Sequence, residues 1–119
     1  MHLHSTYLTA LSCLEGLDRE NAIKAFTPYF VMRIGELPVI PYLRPGDPQI
    51  AEELAQRASD YRAFLLANHG PVITGTDFED AVDNAEELEE TAKLAFILKD
   101  SNIRYLTDTE IQDLKGRGK

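Results

Sequence analysis

Two short apolar runs that meet at a corner constrain the fold of this sequence most. Residues 63–67 form one run of strand length, and residues 72–74 form the second run before Gly75. Between them stands Asn68-His69-Gly70-Pro71, a combination of residues that is typical of a sharp turn. The segment therefore predicts two strands joined by a tight corner.

The residues after this corner have the periodicity of a long amphipathic helix. Thr76 and Glu79 have the spacing of a capping box, which marks a helix start. Apolar residues then recur at intervals of three and four up to about Lys99, namely Phe78, Val82, Ala85, Leu88, Ala92 and Ala95. Strands combined with such a helix indicate an α/β fold.

Four glutamates cluster within this predicted helix, at Glu86, Glu87, Glu89 and Glu90. We interpret them as a solvated helix face, because adjacent carboxylates on a surface helix need no ligand. Lys93 follows Glu89 by four residues, which predicts an ion pair between them.

Two further segments lie before the corner. Residues 5–14 predict a helix that turns Leu8, Leu11 and Leu14, or Ala10 and Cys13, towards the core. We expect the Cys13 thiol to be buried and structural. Residues 37–43 are apolar but contain two prolines, which favours an edge strand or an extended crossing over a central strand.

Two helix starts carry clear capping signals. Asp47 followed by Pro48 predicts a helix that ends near Asp60, because aspartate is a good N-cap and proline fits the first helical position. Thr107 and Glu110 repeat the capping-box spacing, which predicts a last short helix. We expect that helix to run through Leu114.

Composition limits the class of protein. A chain of 119 residues with 44% hydrophobic residues suits one globular domain. The formal net charge of -8 and the lack of a basic run argue against a nucleic-acid partner, although a phosphorylated metabolite stays compatible with local donors or a metal. No apolar stretch approaches the roughly 20 residues of a membrane span. We expect a cytoplasmic protein without a membrane partner.

The three histidines of the chain are the candidate metal ligands. His2 and His4 are two residues apart, so an extended backbone would turn both rings to one face. His69 lies at the corner, where a strand ends. Three imidazoles with one open position would form a catalytic metal site. The alternative is two exposed polar residues at the chain start and an ordinary turn, and spacing alone leaves both interpretations open.

Several segments, taken in order, resemble the class II aldolase and adducin head-domain family, and most closely its branch of 3-oxo-tetronate 4-phosphate decarboxylases. They are His2-Leu3-His4-Ser5-Thr6, Arg44-Pro45-Gly46-Asp47, Leu66-Ala67-Asn68-His69-Gly70-Pro71, the helix Glu86-Glu87-Leu88-Glu89-Glu90-Thr91-Ala92-Lys93, and the closing Leu106-Thr107-Asp108-Thr109-Glu110-Ile111. The resemblance therefore covers nearly the whole chain.

The resemblance implies a site and a cofactor. It maps the family's ligands for a divalent ion, most often Zn²⁺, onto His2, His4 and His69. It also implies a tyrosine proton donor that often reaches a neighbouring subunit's site, for which Tyr29 is the nearest match. The alternative for Tyr29 is an aromatic ring packed under a loop. A homo-oligomer, the family's tetramer, is implied as well.

The resemblance also implies a three-layer α/β/α fold with a mixed sheet, of which residues 1–119 would be the C-terminal part. The family's catalytic glutamate and phosphate loops lie upstream of the His-x-His motif, and only Met1 precedes it here. We therefore expect a sheet that lacks its N-terminal strands and a chain prone to self-association. We also expect negligible turnover by this chain alone, because the assigned base is missing.

Three functions are weighed on this basis. The leading one is a metal-dependent lyase module that cleaves a carbon–carbon bond in a phosphorylated sugar acid or ketose, by decarboxylation or aldol cleavage. A pentulose-phosphate 4-epimerase is a second possibility within the family. A non-catalytic interaction or structural module, as in adducin, belongs to a different class. The presence of all three candidate histidines argues against it.

Overall fold

The structure, a computed structural model, describes residues 5–117. It contains five helices and three strands in this range, which confirms the predicted α/β class. In chain order the elements are α1 (Thr6–Ser12), α2 (Pro28–Arg33), β1 (Val39–Ile40), α3 (Pro48–Arg57), β2 (Ala63–Leu66), β3 (Gly70–Ile73), α4 (Phe78–Leu98) and α5 (Asp108–Arg117).

The three described strands form one mixed sheet in the order β1-β2-β3. Strand β1 is parallel to β2, with Val39 opposite Leu65. Strands β2 and β3 are antiparallel and pair Leu66 with Gly70 next to the corner. This confirms the predicted strand pair and the predicted mixed sheet. Strand β1 has only two residues and lies at one edge of the described sheet, as the prolines around it predicted.

Strand β2 is buried on both faces, which makes the sheet the middle of three layers. Its side chains alternate, so Ala63 and Leu65 join one apolar core, which also contains residues of α1, α2 and α4. Phe64 and Leu66 join the other core, against α3. The predicted three-layer α/β/α arrangement is therefore confirmed for the described residues.

Helix α4 begins one residue later than the capping pattern predicts. Asp77 is the N-cap, and its side chain accepts a hydrogen bond from the backbone N–H of Asp80 at 2.8 Å. The Asp80 carboxylate in turn accepts a hydrogen bond from the backbone N–H of Thr76. The expected Thr76 cap is therefore wrong. Phe78 becomes the first residue of the helix and is 72% exposed, so its predicted inward position is also wrong. Further along, Leu88 is fully buried as expected.

The start of α5 follows the predicted capping box. The hydroxyl of Thr107 accepts from the backbone N–H of Glu110, and the Glu110 carboxylate accepts from the backbone N–H of Thr107. The pKa of the Glu110 carboxyl lies below its usual value. The hydrogen bond from the Thr107 backbone N–H is the largest cause, and the hydrogen bond from the Arg104 guanidinium is the next. The helix continues to Arg117, beyond the predicted end.

The predicted burial of Cys13 is wrong, because α1 ends one residue earlier and leaves this thiol exposed. Leu14 is exposed for the same reason, at 49%. Leu8 and Leu11 are buried, as the pattern predicts. None of the helices between residues 5 and 117 is long and apolar enough to cross a membrane.

Helix α3 gives the first test of the fold. The side chain of Asp47 accepts from the backbone N–H of Gln49 at 2.9 Å. We expect Asp47→Ala to lower the free energy of unfolding by about 1 kcal/mol, because that N–H loses its acceptor. Urea unfolding followed by circular dichroism measures the change. Glu52→Ala, at an exposed position of the same helix, is the control, and an equal loss in both variants would contradict the cap.

Candidate metal centre

The corner that carries His69 is a tight β-turn between β2 and β3. The backbone N–H of His69 donates to the carbonyl oxygen of Leu66 at 3.0 Å and closes the turn. Asn68, the third residue of the turn, has a φ of 60°, a left-handed conformation that asparagine tolerates better than most residues. The order Asn-His therefore gives the turn its backbone geometry and places the histidine where the chain enters β3.

The side chain of His69 is exposed, and within residues 5–117 it makes no hydrogen bond or ion pair. Imidazole nitrogen is a preferred ligand of Zn²⁺. An exposed ring without a partner in the described part of the chain can reach an ion without breaking an existing contact. The donor chemistry at this position therefore fits the predicted metal.

Helix α1 passes directly over this corner. The backbone N–H of Asn68 donates to the carbonyl oxygen of Ser12, in the last turn of α1, at 2.8 Å. Gly70 has a φ of 143°, and a Cβ there would lie 3.3 Å from Oγ1 of Thr9. Glycine at this position therefore permits both the backbone conformation and the close approach of the helix.

The other end of α1 is held by a carboxylate from α4. Oε2 of Glu89 accepts from the backbone N–H of Tyr7 at 2.9 Å, and Oε1 accepts from that of Leu8 at 3.0 Å. The N-cap residue Ser5 makes no side-chain cap of its own. A residue 82 positions away from Tyr7 in sequence therefore satisfies two helix donors that have no partner within the helix.

A groove of about 500 Å³ lies beside this contact, between α1, β3 and α4. Its lining combines apolar side chains such as Leu8 and Ile73 with the carboxylates of Glu86, Glu89 and Glu90. Negative charge of this density repels a phosphate group. The groove is therefore a poor place for the phosphate of a sugar-phosphate substrate.

Residues 1–96 match the family model described as Class II Aldolase and Adducin N-terminal domain. This chain belongs to that family. The match includes the His-x-His segment, the corner with His69 and most of α4. Family membership confirms the resemblance that the sequence motifs indicated.

Curated relatives align with the chain over most of its length. It is 68% identical over 119 residues to a 3-oxo-tetronate 4-phosphate decarboxylase of Haemophilus influenzae, covering 100% of this chain and 57% of that protein. It is 33% identical over 98 residues to an L-fuculose phosphate aldolase of Methanococcus maripaludis, covering 82% of this chain and 51% of that protein.

A solved structure agrees with the fold. The crystal structure of YgbL from Escherichia coli superposes with a TM-score of 0.92 at 62% identity, covering 96% of this chain and 55% of that one. The chain thus spans about half the length of the relatives it matches. That residues 1–119 are the C-terminal part of one class II aldolase-like domain stays a prediction.

Of the three candidate ligands in this class II aldolase-family chain, only the corner histidine is described. His2 and His4 lie outside the described residues. Within residues 5–117, no group of three or more His, Cys, Asp or Glu side chains is placed to hold an ion. The geometry around His69 is therefore known, and the convergence of the three rings stays a prediction.

Tyr29, the candidate proton donor, lies in the first turn of α2. Thr27 caps this helix, Pro28 is its first residue, and Phe30 is fully buried next to Tyr29. Tyr29 is 63% exposed, which contradicts the alternative of an aromatic residue packed under a loop. No hydrogen bond or ring contact joins it to His69 in the described part of the chain. The role of Tyr29 as a proton donor stays a prediction.

The role of Glu89 differs from the sequence prediction. We expected a solvated carboxylate paired with Lys93, whereas the side chain is half-buried and engaged by α1. One signal was available. A capping box beginning at Ser5 would need Glu or Gln three residues later, and that position is Leu8. The missing local partner indicates an acceptor from elsewhere, but it does not identify which one.

Proposed function

We propose that this chain provides the metal-binding part of a class II aldolase-type lyase, which cleaves a carbon–carbon bond in a phosphorylated sugar acid. The observation that carries the proposal is the 68% identity over the whole chain to a 3-oxo-tetronate 4-phosphate decarboxylase. Decarboxylation of a 3-oxo acid phosphate, a carboxy-lyase reaction, is therefore the first candidate.

Aldol cleavage of a phosphorylated ketose is the second candidate. It is supported by the 33% identity to an L-fuculose phosphate aldolase, an aldehyde-lyase. Both reactions leave negative charge on the carbon next to a carbonyl group, so the same electrophilic site can serve either. The lower identity places this candidate after the decarboxylase.

In this proposal His2, His4 and His69 hold a divalent ion, most simply Zn²⁺. A bound zinc ion supplies a Lewis acid that polarises a carbonyl oxygen. The exposure of His69 supports its role as a metal ligand, since its side chain is accessible and has no hydrogen bond or ion pair within residues 5–117. Tyr29 donates a proton from its exposed position on α2, at the site of a neighbouring subunit. The proposal therefore includes a homo-oligomer. We also propose a cytoplasmic location.

A zinc titration tests the metal part of this proposal. We expect the purified chain, freed of metal by a chelator, to bind one Zn²⁺ per chain in a calorimetric titration. Mg²⁺ should compete poorly, because it prefers oxygen ligands over imidazole. A variant with His2, His4 and His69 all replaced by alanine is the control. Equal zinc uptake by this variant, or no uptake by the unchanged chain, would rule out the three-histidine site.

An activity assay then separates the two lyase reactions. The chain and the full-length Haemophilus influenzae relative are incubated with a 3-oxo-tetronate 4-phosphate and, separately, with a ketose phosphate. Carbon dioxide release identifies a decarboxylase, and aldehyde release identifies an aldolase. Zinc binding without turnover would assign the remaining catalytic groups to parts of the relative that this chain does not match, since the match covers 57% of that protein.

A further inference from the structure

In the sequence, helix α1 lies between the predicted ligands His2 and His4 on one side and His69 on the other. His4 immediately precedes Ser5, the N-cap of α1. At the other end, the carbonyl oxygen of Ser12 accepts from the backbone N–H of Asn68, the residue before His69. Any displacement of the first turn of α1 relative to the corner therefore changes the separation between Ser5 and His69.

The Glu89 carboxylate fixes the first turn of this helix. Its two oxygens accept from two successive backbone N–H groups, at 2.9 Å from Tyr7 and 3.0 Å from Leu8. Charge-assisted bonds of this kind are stronger than neutral ones, and a negative charge at a helix N-terminus is further stabilised by the helix dipole. Because Ser5 provides no cap of its own, this end of α1 depends on α4.

The neighbouring glutamates show that this contact is specific. Glu86 and Glu90 lie on the same helix and face the same groove, but neither makes a hydrogen bond or ion pair in the described part of the chain. Glu87 accepts from the hydroxyl of Thr91 within α4. Of these four carboxylates, only Glu89 joins α4 to the segment that follows the His-x-His motif.

We propose that Glu89 is a positioning residue for the metal centre: by fixing the first turn of α1, it holds Ser5, the residue that follows His4 in the sequence, in place relative to His69. The inference rests on the proposed function, since it requires the three histidines to bind one ion. Groups that orient metal ligands without touching the metal typically change affinity by about 10- to 100-fold when they are replaced. Glu89 acts through the backbone of α1 rather than through a ligand side chain.

Glu89→Gln tests the proposal, because the amide has a similar size but a single acceptor oxygen and no charge. The affinity for Co²⁺ is measured by competition with a coloured chelator, and the visible spectrum of bound Co²⁺ reports the ligand geometry. We expect binding about 10- to 100-fold weaker, with a changed spectrum. Glu86→Gln and Glu90→Gln remove the same charge from the same helix and should leave both readouts unchanged.

A second set of variants separates positioning from general loss of stability. Asp47→Ala weakens the fold at α3, away from the corner, and should leave the Co²⁺ affinity and spectrum unchanged at a temperature where it is folded. Glu89→Asp keeps the charge but is shorter by one methylene group. It should give a smaller loss than Glu89→Gln, and it replaces that variant if the glutamine form does not fold.

The outcomes are distinguishable. If the unchanged chain binds no Co²⁺ or Zn²⁺, the proposed metal site itself fails. If the unchanged chain binds the ion, and folded Glu89→Gln and Glu89→Asp bind it with the same affinity and spectrum, the positioning role of Glu89 is overturned. A loss of affinity in Asp47→Ala equal to that in Glu89→Gln would also overturn it, because the effect would then follow stability alone.

Discussion

Replacing His69 by alanine is expected to weaken zinc binding by more than about 100-fold, because even residues that only orient a ligand contribute 10- to 100-fold. The variant removes one of three predicted imidazoles, which leaves a two-ligand site that is more open to water. Because His69 is exposed, its loss creates no cavity, and the fold should be retained. Competition with a coloured chelator measures the affinity, and circular dichroism checks the fold.

Asn68→Gly is a matched control for this variant. It changes the neighbouring side chain but keeps the turn, because glycine readily adopts the φ of 60° found at this position. The zinc affinity of this control should equal that of the unchanged chain. An unchanged zinc affinity in His69→Ala would show that His69 is not a metal ligand, and His69 would then be a turn residue only.

Leu88→Ala is expected to have the largest effect on stability. Leu88 is fully buried, in the core between α4 and the sheet. Truncation of a buried leucine leaves a cavity and typically costs about 2–5 kcal/mol, a large part of the roughly 5–15 kcal/mol by which domains are stable. Urea unfolding measures the loss.

Ile97→Ala is the control for this change. It truncates an apolar residue of the same helix, but Ile97 is 63% exposed. Its effect should stay within about 0.5 kcal/mol, as for most surface substitutions. If both variants lost the same stability, the assignment of the buried face of α4 would be wrong.

The elements that could be predicted from the sequence are those with a strong local signal. The β2–β3 hairpin follows from apolar runs around Asn68-His69-Gly70-Pro71, and α3 follows from Asp47 and Pro48. In both cases the residues that determine the conformation are next to each other in the chain. Pattern, turn chemistry and capping then indicate the same structure.

The shortest helix could not be predicted in the same way. Helix α2 has six residues, which is fewer than two turns, so no apolar periodicity could build up. It forms because Thr27 caps it and because Phe30 and Val31 are buried in the core. The burial that stabilises a helix of this length depends on the assembled fold.

In the candidate site, too, the features set by neighbouring residues could be predicted, and those set by contacts between distant segments could not. The corner geometry of His69 is local, and the sequence predicted it. The contact of Glu89 with α1 joins segments 82 and 81 positions apart, and no spacing rule covers such a distance. The prediction that His2, His4 and His69 are metal ligands rested on the family resemblance, because His2 and His4 form too short a motif to indicate a metal by themselves.

The long sequence separation of the Glu89 contact has a consequence for the order in which the chain is made. On the ribosome the amides of Tyr7 and Leu8 emerge well before the carboxylate that binds them, which follows 82 residues after Tyr7. A helix of seven residues is marginal without tertiary contacts. The first turn of α1 can therefore reach its final position only when α4 has been synthesised, so the first helix within residues 5–117 is among the last of them to be completed.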